Sequence, residues 1–435
     1  MNKLGFLKSV LPLNSLRIFS LSFILKIFAA SCSFFFQYLL AKNFSIEDVG
    51  IFNTLFSIFN LLIIVLSFGI PKAILKISSH FYSNYENQNL LNFLVFAVKK
   101  QIFIILIICI ILFVVFFYFP LNNISEIENN MILTFIVSIP FLAIILSFSE
   151  FFKATKHPNL SILFWKLLIT LITVILILFL DYNFIQIIPL YYLISCLIVF
   201  VFGIVLIIAF YKQYLPKFRN NISNIIVKDF KFSKNQFYIS RIFEQIIRWS
   251  PTIILGIFSL KENAALFTIA TQISFVISLI LQTSNILIVP YISSYYVKGD
   301  TKSLMIFINK VLFFICLACL PLFFLMFFYS DFLLGFFGQE YVSASITLKI
   351  LVVSTMINAA FGPVGLSLQI CNYEKVVKNI NILSAIILLI SMSLLTPIFS
   401  IEGVAFSVLL SVLIKNISLS RYCNKLLGIK IIPKI

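Results

Sequence analysis

The sequence predicts an all-α polytopic membrane protein with 12 transmembrane helices in two pseudo-symmetric six-helix lobes. Hydrophobic residues make up 61% of the 435 positions and charged residues only 11%, whereas a soluble domain carries about 25% charged residues. Apolar windows of about 20 residues, the length that crosses a bilayer, recur along the whole chain. The stretches between them alternate between many and few basic residues. No stretch is left that is long enough to form a soluble domain.

The apolar windows follow one another with short turns between them. The second span is expected to end at Pro71, which cannot continue a helix, and residues 72–98 to form an interfacial helix plus loop. In the tenth span, Gly362 and Pro363 predict a helix break at membrane depth. We place the spans at 17–41, 49–71, 101–119, 131–152, 160–180, 186–211, 236–258, 264–290, 310–329, 343–369, 380–399 and 404–420.

The distribution of basic residues predicts that both termini are cytoplasmic. By this segmentation, 24 of the 32 Lys and Arg residues fall on one side of the membrane, and only Lys42 and Lys261 fall on the other. The positive-inside rule assigns the basic side to the cytoplasm. Membrane topology therefore accounts for the basic excess, and we expect no nucleic acid as a partner.

The middle of the chain predicts a boundary between two lobes. Residues 212–235 are rich in lysine, and Ile222, Ile225, Ile226 and Phe230 recur there at helical spacing. This pattern is typical of a basic amphipathic helix on an anionic membrane surface. It would link an N-terminal lobe, residues 1–211, to a C-terminal lobe, residues 236–435.

The two lobes show a faint internal repeat. A shift of 215 residues superposes Glu47 on Glu262 and Lys26 on Arg241. Because each half has six spans, both halves start on the same side of the membrane. The sequence therefore predicts a parallel repeat about an axis along the membrane normal.

The most costly feature of the predicted spans is a polar stripe on span seven. Arg241, Glu244, Gln245 and Arg248 recur at i, i+3, i+4 and i+7, which places them on one helical face. A cation at the centre of a membrane helix costs about 2.5–3.5 kcal/mol. Counted from residue 236 at about 1.5 Å per residue, Arg248 lies about 18 Å deep, near the midplane of a core about 30 Å thick. The stripe should therefore face a wet cavity or an anionic partner. In the structural alternative, Glu244 neutralises Arg248 and Arg241 snorkels.

The remaining polar residues offer little chemistry. Glu150 and Lys153, three positions apart at the cytoplasmic end of span four, are expected to form a local ion pair. Cys316 and Cys319 have CxxC spacing, but no further ligand lies near them in sequence, so we expect them to be small apolar fillers. Motifs for phosphate binding or zinc-dependent hydrolysis are absent from the sequence. We therefore expect a transporter without enzymatic activity, cofactor or metal.

Four stretches resemble signature elements of polysaccharide flippases, and they occur in the same order. Asp48-Val49 replaces the usual Glu-Tyr of the first element, and Asn372-Tyr373 replaces the usual Gly-Arg of the third, which leaves the subfamily open. Together the stretches resemble the Wzx-type flippases of O-antigen and capsule units, within the multidrug/oligosaccharidyl-lipid/polysaccharide exporter (MOP) superfamily. The four stretches are residues 39–53, 337–344, 361–375 and 401–407.

The resemblance implies a carrier of undecaprenyl-diphosphate-linked oligosaccharide repeat units. It would move them from the cytoplasmic to the periplasmic leaflet of the bacterial inner membrane by alternating access between two lobes. A lipid diphosphate needs cations, and arginine can bind its oxygens in bidentate fashion. The candidates are Arg248, Arg241 and Lys26, with Lys166 second, and Glu244 would orient the arginines. Expected partners are the lipid-linked oligosaccharide, membrane lipids, a polysaccharide polymerase and a chain-length regulator.

Two related transporters are the alternatives. A lipid II flippase would need similar cations, but that family generally carries two additional spans. A drug or metabolite antiporter usually needs a buried acid that exchanges protons or sodium ions. Spans one to three contain no Asp or Glu, and Glu150 lies at the edge of span four, which disfavours the antiporter.

Overall fold

The computed structural model describes residues 13–118, 125–180, 184–212 and 224–428, and nearly all of these are helical, with none in a β-strand. The predicted all-α class is confirmed. In chain order the helices are α1 Leu13–Asn43, α2 Ile46–Leu66, α3 Ile70–Ser83, α4 Asn87–Tyr118, α5 Glu126–Ala154, α6 Pro158–Ile162, a π-helical turn Leu163–Leu167, α7 Leu168–Phe179, α8 Ile187–Tyr211, α9 Asn224–Phe258, α10 Lys261–Val297, α11 Thr301–Phe328, α12 Ser330–Gly335, a 3₁₀ helix Gln339–Ala344, α13 Ser345–Phe361, α14 Val364–Ile370 and α15 Glu374–Leu427.

Within the described ranges, 10 helices are long and apolar enough to cross a membrane. They coincide with all the predicted spans except the seventh, and the polytopic membrane class is therefore confirmed. The candidates are Leu21–Asn43, Ile46–Leu66, Gln88–Val114, Glu126–Ala154, Pro158–Phe179, Ile187–Tyr211, Lys261–Asn285, Thr301–Phe328, Gln339–Phe361 and Glu374–Leu427.

Two helices account for the difference from the 12 predicted spans. Helix α15 is 54 residues long and contains Ser400 in a non-helical conformation, with φ 46° and ψ −120°. This bent helix covers the eleventh and twelfth predicted spans together. The seventh predicted span lies inside α9, where Arg241, Glu244 and Arg248 interrupt the apolar sequence. The number of spans and the side of the termini stay predictions.

The helices group into two compact units. The first unit comprises Met1–Phe36 and Ile58–Ile242, and the second comprises Gln37–Ser57 and Phe243–Ile435. Helices α1, α2 and α9 each continue from one unit into the other. The grouping differs from the predicted lobes because residues 37–57 belong with the C-terminal part of the chain. The two pseudo-symmetric lobes stay a prediction.

Helix α5 is the central element of the first unit. It packs against α3, α4 and α8. A capping box fixes its start: the Ser125 side chain accepts a hydrogen bond from the Glu128 backbone N–H, and the Glu128 carboxylate accepts one from the Ser125 N–H, which satisfies two otherwise free donors. Every residue of 142–152 is buried. Glu150 therefore lies inside packed protein.

Helix α13 is the central element of the second unit and packs against α10, α11 and α15. It ends at Phe361 because Gly362 adopts a positive φ of 63°, and Pro363 then precedes α14. The predicted break in span ten is confirmed. The Ser411 hydroxyl donates to the Ser384 carbonyl at 2.9 Å, so the bend at Ser400 brings the two arms of α15 together.

The prediction that the second span ends at Pro71 is wrong. Helix α2 ends earlier, at Leu66, and the chain turns at Phe68 and Gly69, whose φ angles are 47° and 71°. Pro71 lies in the first turn of α3, where a missing N–H donor has no cost. The predicted loop in 72–98 is also shorter than expected, since α3 reaches Ser83 and α4 begins at Asn87.

The predicted amphipathic linker and span seven are joined in one helix. Helix α9 continues without interruption from Asn224 to Phe258 and includes Pro251. Residues 213–223, including Ile222 of the predicted amphipathic face, lie outside the described residues. Phe230 is fully buried, with its ring against those of Phe93 and Phe96 on α4. At this position the linker contacts protein.

Candidate functional site

Arg241 lines a small recess that is built within the first unit. The recess encloses about 280 Å³ of empty space, counted together with the part open to solvent. It is lined by Ile64, Ser67, Gly69, Pro71, Lys72, Leu146, Glu150, Tyr238 and Arg241.

The turn of the chain after α2 places Lys72 in the recess. Phe68 and Gly69 turn the backbone, and Pro71 starts α3 with its fixed φ, which is preorganised for a helix. Lys72 then lies in the first turn of α3. Because α3 packs on α5 through Ile70, Ile74 and other buried residues, the ammonium group lies next to the C-terminal part of α5.

Glu150 is the anion at the centre of the recess. Its Oε1 lies 2.8 Å from Lys72 Nζ, and its Oε2 lies 4.0 Å from Lys153 Nζ. The Glu150 side chain is only 8% exposed, whereas that of Lys72 is 25% exposed and that of Lys153 is 51% exposed. The predicted Glu150–Lys153 pair is confirmed, but it is the longer contact. The closer partner, Lys72, comes from the segment predicted to be an interfacial helix plus loop.

The second oxygen of Glu150 is buried without a hydrogen bond from the part of the chain that the structure describes. A buried polar atom without a partner costs about 1–3 kcal/mol. The carboxylate therefore has an unused acceptor inside the recess. An ion pair that served only stability would be expected to have hydrogen bonds to both carboxylate oxygens.

Two of the predicted cations join this cluster. Arg241 lies within electrostatic range of both Glu150 and Lys72, and Lys26 lies within that range of Lys153. Three cations, from α3, α5 and α9, thus lie around one carboxylate, and a fourth, Lys26 of α1, lies near Lys153. We call these five residues, Lys26, Lys72, Glu150, Lys153 and Arg241, the charge cluster. With every group ionised, its formal net charge is strongly positive, so it can attract an additional anion.

Tyr238 holds this part of α9 in place. Its hydroxyl donates to the backbone carbonyl of Val65 at 2.8 Å, and its ring stacks on Phe68 with centroids 5.7 Å apart. Arg241 follows Tyr238 by three residues, so both lie on the same helical face. Tyr238 therefore fixes the register that brings the arginine to the recess.

The second half of the predicted stripe belongs to the second unit. Glu244 Oε1 accepts a hydrogen bond from Asn381 Nδ2 at 3.2 Å, and Lys415 lies within electrostatic range of Glu244. Arg248 is exposed, with its guanidinium carbon 5.1 Å from the centre of the Trp249 ring, which is within cation–π distance. The stripe residues share one helix as predicted, but the boundary between the units passes after Ile242.

Lys166, the secondary candidate, lies in the π-helical turn Leu163–Leu167. Its side chain is outside the described part of the structure. The roles of Arg248, Arg241, Lys26, Lys166 and Glu244 in anion binding stay predictions.

Sequence reasoning missed the role of Lys72 and undervalued Glu150. The two residues are far apart along the chain, and only the packing of α3 on α5 brings them together. The sequence nevertheless contained a signal for both residues, because each charged side chain lies next to a long apolar stretch. Tyr238 gave no comparable signal.

The family comparison matches most of the chain. The family described as "Polysaccharide biosynthesis protein" matches residues 15–296. A curated relative, the probable low-salt glycan biosynthesis flippase Agl15 of Haloferax volcanii, is 26% identical over 216 residues. That alignment covers 49% of this chain and 44% of the relative, so the chain matches less than half of the relative's length.

Solved structures with the same fold are transporters of the MOP superfamily. An inward-facing multidrug resistance MATE family transporter has a TM-score of 0.74 and 14% identity, with 92% of this chain and 94% of that chain covered. The lipid II flippase MurJ, in an inward closed conformation, has a TM-score of 0.70 and 16% identity, with 93% and 87% covered. A MOP superfamily transporter from Pyrococcus furiosus has a TM-score of 0.67 and 13% identity, with 94% and 95% covered. At these identities the likeness concerns the fold.

The family match extends from α1 into the last turns of α10 and includes all five residues of the charge cluster. It covers well over half of the sequence. This chain therefore belongs to the polysaccharide biosynthesis protein family.

Proposed function

We propose that this chain is a flippase that moves undecaprenyl-diphosphate-linked oligosaccharide repeat units from the cytoplasmic to the periplasmic leaflet, for O-antigen or capsule assembly, by alternating access. The observation that carries the proposal is the charge cluster, in which cations from α3, α5 and α9 lie around one carboxylate and Lys26 of α1 adds a fourth cation near Lys153. Cations so close together repel one another, and an anionic ligand would offset that repulsion. A diphosphate on a lipid carrier supplies that anion.

The cations have different tasks in this proposal. Arg241 and Arg248 present planar guanidinium groups that can bind two oxygens at once, whereas Lys26, Lys72 and Lys166 act as point charges. Glu244 would orient the arginines of the stripe. Its own carboxylate is held by Asn381, whose Nδ2 donates to Glu244 Oε1 at 3.2 Å. The protein would work in the bacterial inner membrane with membrane lipids around it, and with a polysaccharide polymerase and a chain-length regulator as partners downstream.

The two alternatives make different demands on the same residues. A lipid II flippase would bind the same diphosphate but a different sugar unit. A drug or metabolite antiporter would use Glu150 as an exchanging acid, since it is the buried carboxylate of the recess. The 2.8 Å contact of Glu150 with Lys72 favours a role in balancing cations, because a carboxylate engaged by an ammonium group binds a further cation poorly.

The test is polymer display in a strain from which the gene has been deleted. We expect this chain to restore O-antigen or capsule, and Arg241→Ala and Arg248→Ala each to reduce the displayed polymer about 10–100-fold, the effect of losing a charge-assisted hydrogen bond. Arg421→Ala serves as the matched control because Arg421 is an exposed arginine of α15. Display is measured by gel electrophoresis of the polymer, with protein levels checked by immunoblot. If both variants support full display, the stripe is structural.

A further inference from the structure

The proposed function as stated gives Glu150 only the task of balancing cations, although Glu150 is the best-buried member of the charge cluster. It belongs to the densely packed part of α5, and its side chain is 8% exposed. A buried ionised carboxylate persists only with cationic partners. Glu150 has one at 2.8 Å and one at 4.0 Å, and Arg241 lines the same recess.

Some hydrogen-bonding groups of the recess have no partner in the described part of the chain when Glu150 is its only anion. Oε2 is buried and accepts no hydrogen bond from the described residues. The cations of the recess also have unused donors. The ammonium group of Lys72 has three donors and the guanidinium group of Arg241 has five, which is more than the two oxygens of Glu150 can accept. A ligand with more anionic oxygens, such as a diphosphate, would match these donors better than Glu150 does.

A diphosphate and the ionised carboxylate compete for the same place. The recess is narrow, and the carboxylate already occupies the position next to Lys72. Like charges at contact distance repel strongly in a protein interior. The ligand can therefore bind well only when the carboxylate leaves Lys72.

We propose that Glu150 is an internal counter-anion, which holds Lys72 and Arg241 in the empty protein and is displaced from them by the diphosphate of the substrate. This inference rests on the proposed flippase function and deepens it. The carboxylate keeps the cations in position while the site is empty. When it returns, it displaces the diphosphate and so assists release, which a carrier needs as much as binding.

The experiment compares diphosphate binding by the full-length wild type and Glu150→Gln in detergent at one fixed pH and low salt. The probes are inorganic diphosphate, farnesyl diphosphate and, as an uncharged prenyl control, farnesol, and calorimetry gives the affinities. We expect Glu150→Gln to bind both diphosphates about tenfold more tightly or better, with no change for farnesol. An effect on farnesyl diphosphate alone would assign the site to a lipid head group, and an equal effect on both would assign it to diphosphate as such.

Two further variants keep the test decisive. Glu126→Gln removes an exposed carboxylate from the first turn of the same helix and should leave both affinities unchanged. Glu150→Asp keeps the charge but retracts it by one methylene group, so its diphosphate affinity should lie between those of the wild type and Glu150→Gln. It also decides the question if Glu150→Gln does not fold.

Equal or weaker diphosphate binding by folded Glu150→Gln, or by Glu150→Asp in its place, overturns the counter-anion role. In that case full polymer display by the wild type would still support the flippase. Conversely, tighter binding by Glu150→Gln in a chain that cannot restore display would support the counter-anion and reject the flippase. The two proposals therefore fail separately.

Discussion

Lys72 and Glu150 are the pair of residues on which the first unit depends most directly. Their side chains meet at 2.8 Å while the Glu150 side chain is 8% exposed. The net value of a buried pair is small, because desolvation offsets the attraction, but loss of one partner leaves the other charge buried alone. The asymmetry makes the pair sensitive to single substitutions.

Lys72→Ala should therefore destabilise the protein more than an ordinary surface substitution. The carboxylate of Glu150 would keep only Lys153 at 4.0 Å and Arg241, so we expect a loss of about 1–3 kcal/mol of unfolding free energy, because the carboxylate stays partly compensated. Thermal unfolding in detergent measures the effect, and Lys99→Ala, at an exposed position of α4, is the control. The double variant Lys72→Met/Glu150→Met should recover most of the loss. Equal unfolding temperatures for Lys72→Ala and Lys99→Ala would contradict a buried pair.

Four of the five residues of the charge cluster were singled out from the sequence, and the fifth, Lys72, was not. Arg241 and Lys26 were candidates because each cation interrupts a long apolar run, and that cost is visible without a fold. Lys72 was hidden because Pro71 looked like the end of a helix, whereas Phe68 and Gly69 make the turn. The Lys72–Glu150 contact depends on the packing of α3 against α5, which sequence spacing does not encode.

At the scale of helices, the start of α2 comes unusually close to the junction between α9 and α10 within the second unit. A methyl group at Gly50 would overlap the backbone carbonyl oxygen of Lys261, and one at Gly256 would overlap the side chain of Thr54. Small residues at both crossings let helix backbones approach closely, as in other membrane proteins. Two glycines thus set the distance between these helices.

Gly50→Ala should separate α2 from α10, because the obstructing atom belongs to backbone and cannot rotate away. We expect a cost of about 1–3 kcal/mol, typical of overpacking, measured as a lower unfolding temperature in detergent. Gly335→Ala, at a helical glycine with open space around its Cα, is the matched control and should be neutral or slightly stabilising. An unchanged unfolding temperature for Gly50→Ala would show that the contact is loose.

At the scale of the whole molecule, the hydrophobicity of the sequence predicted the membrane-protein class. The number of helices recognised as membrane-crossing depends on local features, such as the bend at Ser400 and the charged residues of α9. The apolar windows predicted the positions of most membrane-crossing helices, since length and composition alone define them. The same rule could not foresee that Ser400 bends α15 while keeping its two arms in one element. Nor could it foresee that α2 and α1 each contribute to two units, because that grouping depends on long-range packing.

The predicted topology has a direct test with reporter fusions. A fluorescent protein that matures only in the cytoplasm should be active at both the N- and C-termini, since the basic residues favour that side. Alkaline phosphatase, active only in the periplasm, should be inactive there and active when inserted after Asn123, in the predicted external loop. Phosphatase activity at either terminus would reverse the predicted orientation.

The composition of the second unit has a consequence for the order of synthesis. Its first piece, Gln37–Ser57, leaves the ribosome early, whereas its remaining residues begin at Phe243. Domains generally fold as they emerge, N-terminal first, but this piece cannot complete its packing until almost 200 residues later, on the order of 10–40 s at about 5–20 residues per second. During that interval the segment with Gly50 lacks its later partners in the second unit, among them the backbone of Lys261. A gene split between Ile242 and Phe243 would therefore not yield two self-sufficient products, and recovery of function would require both fragments to be present together.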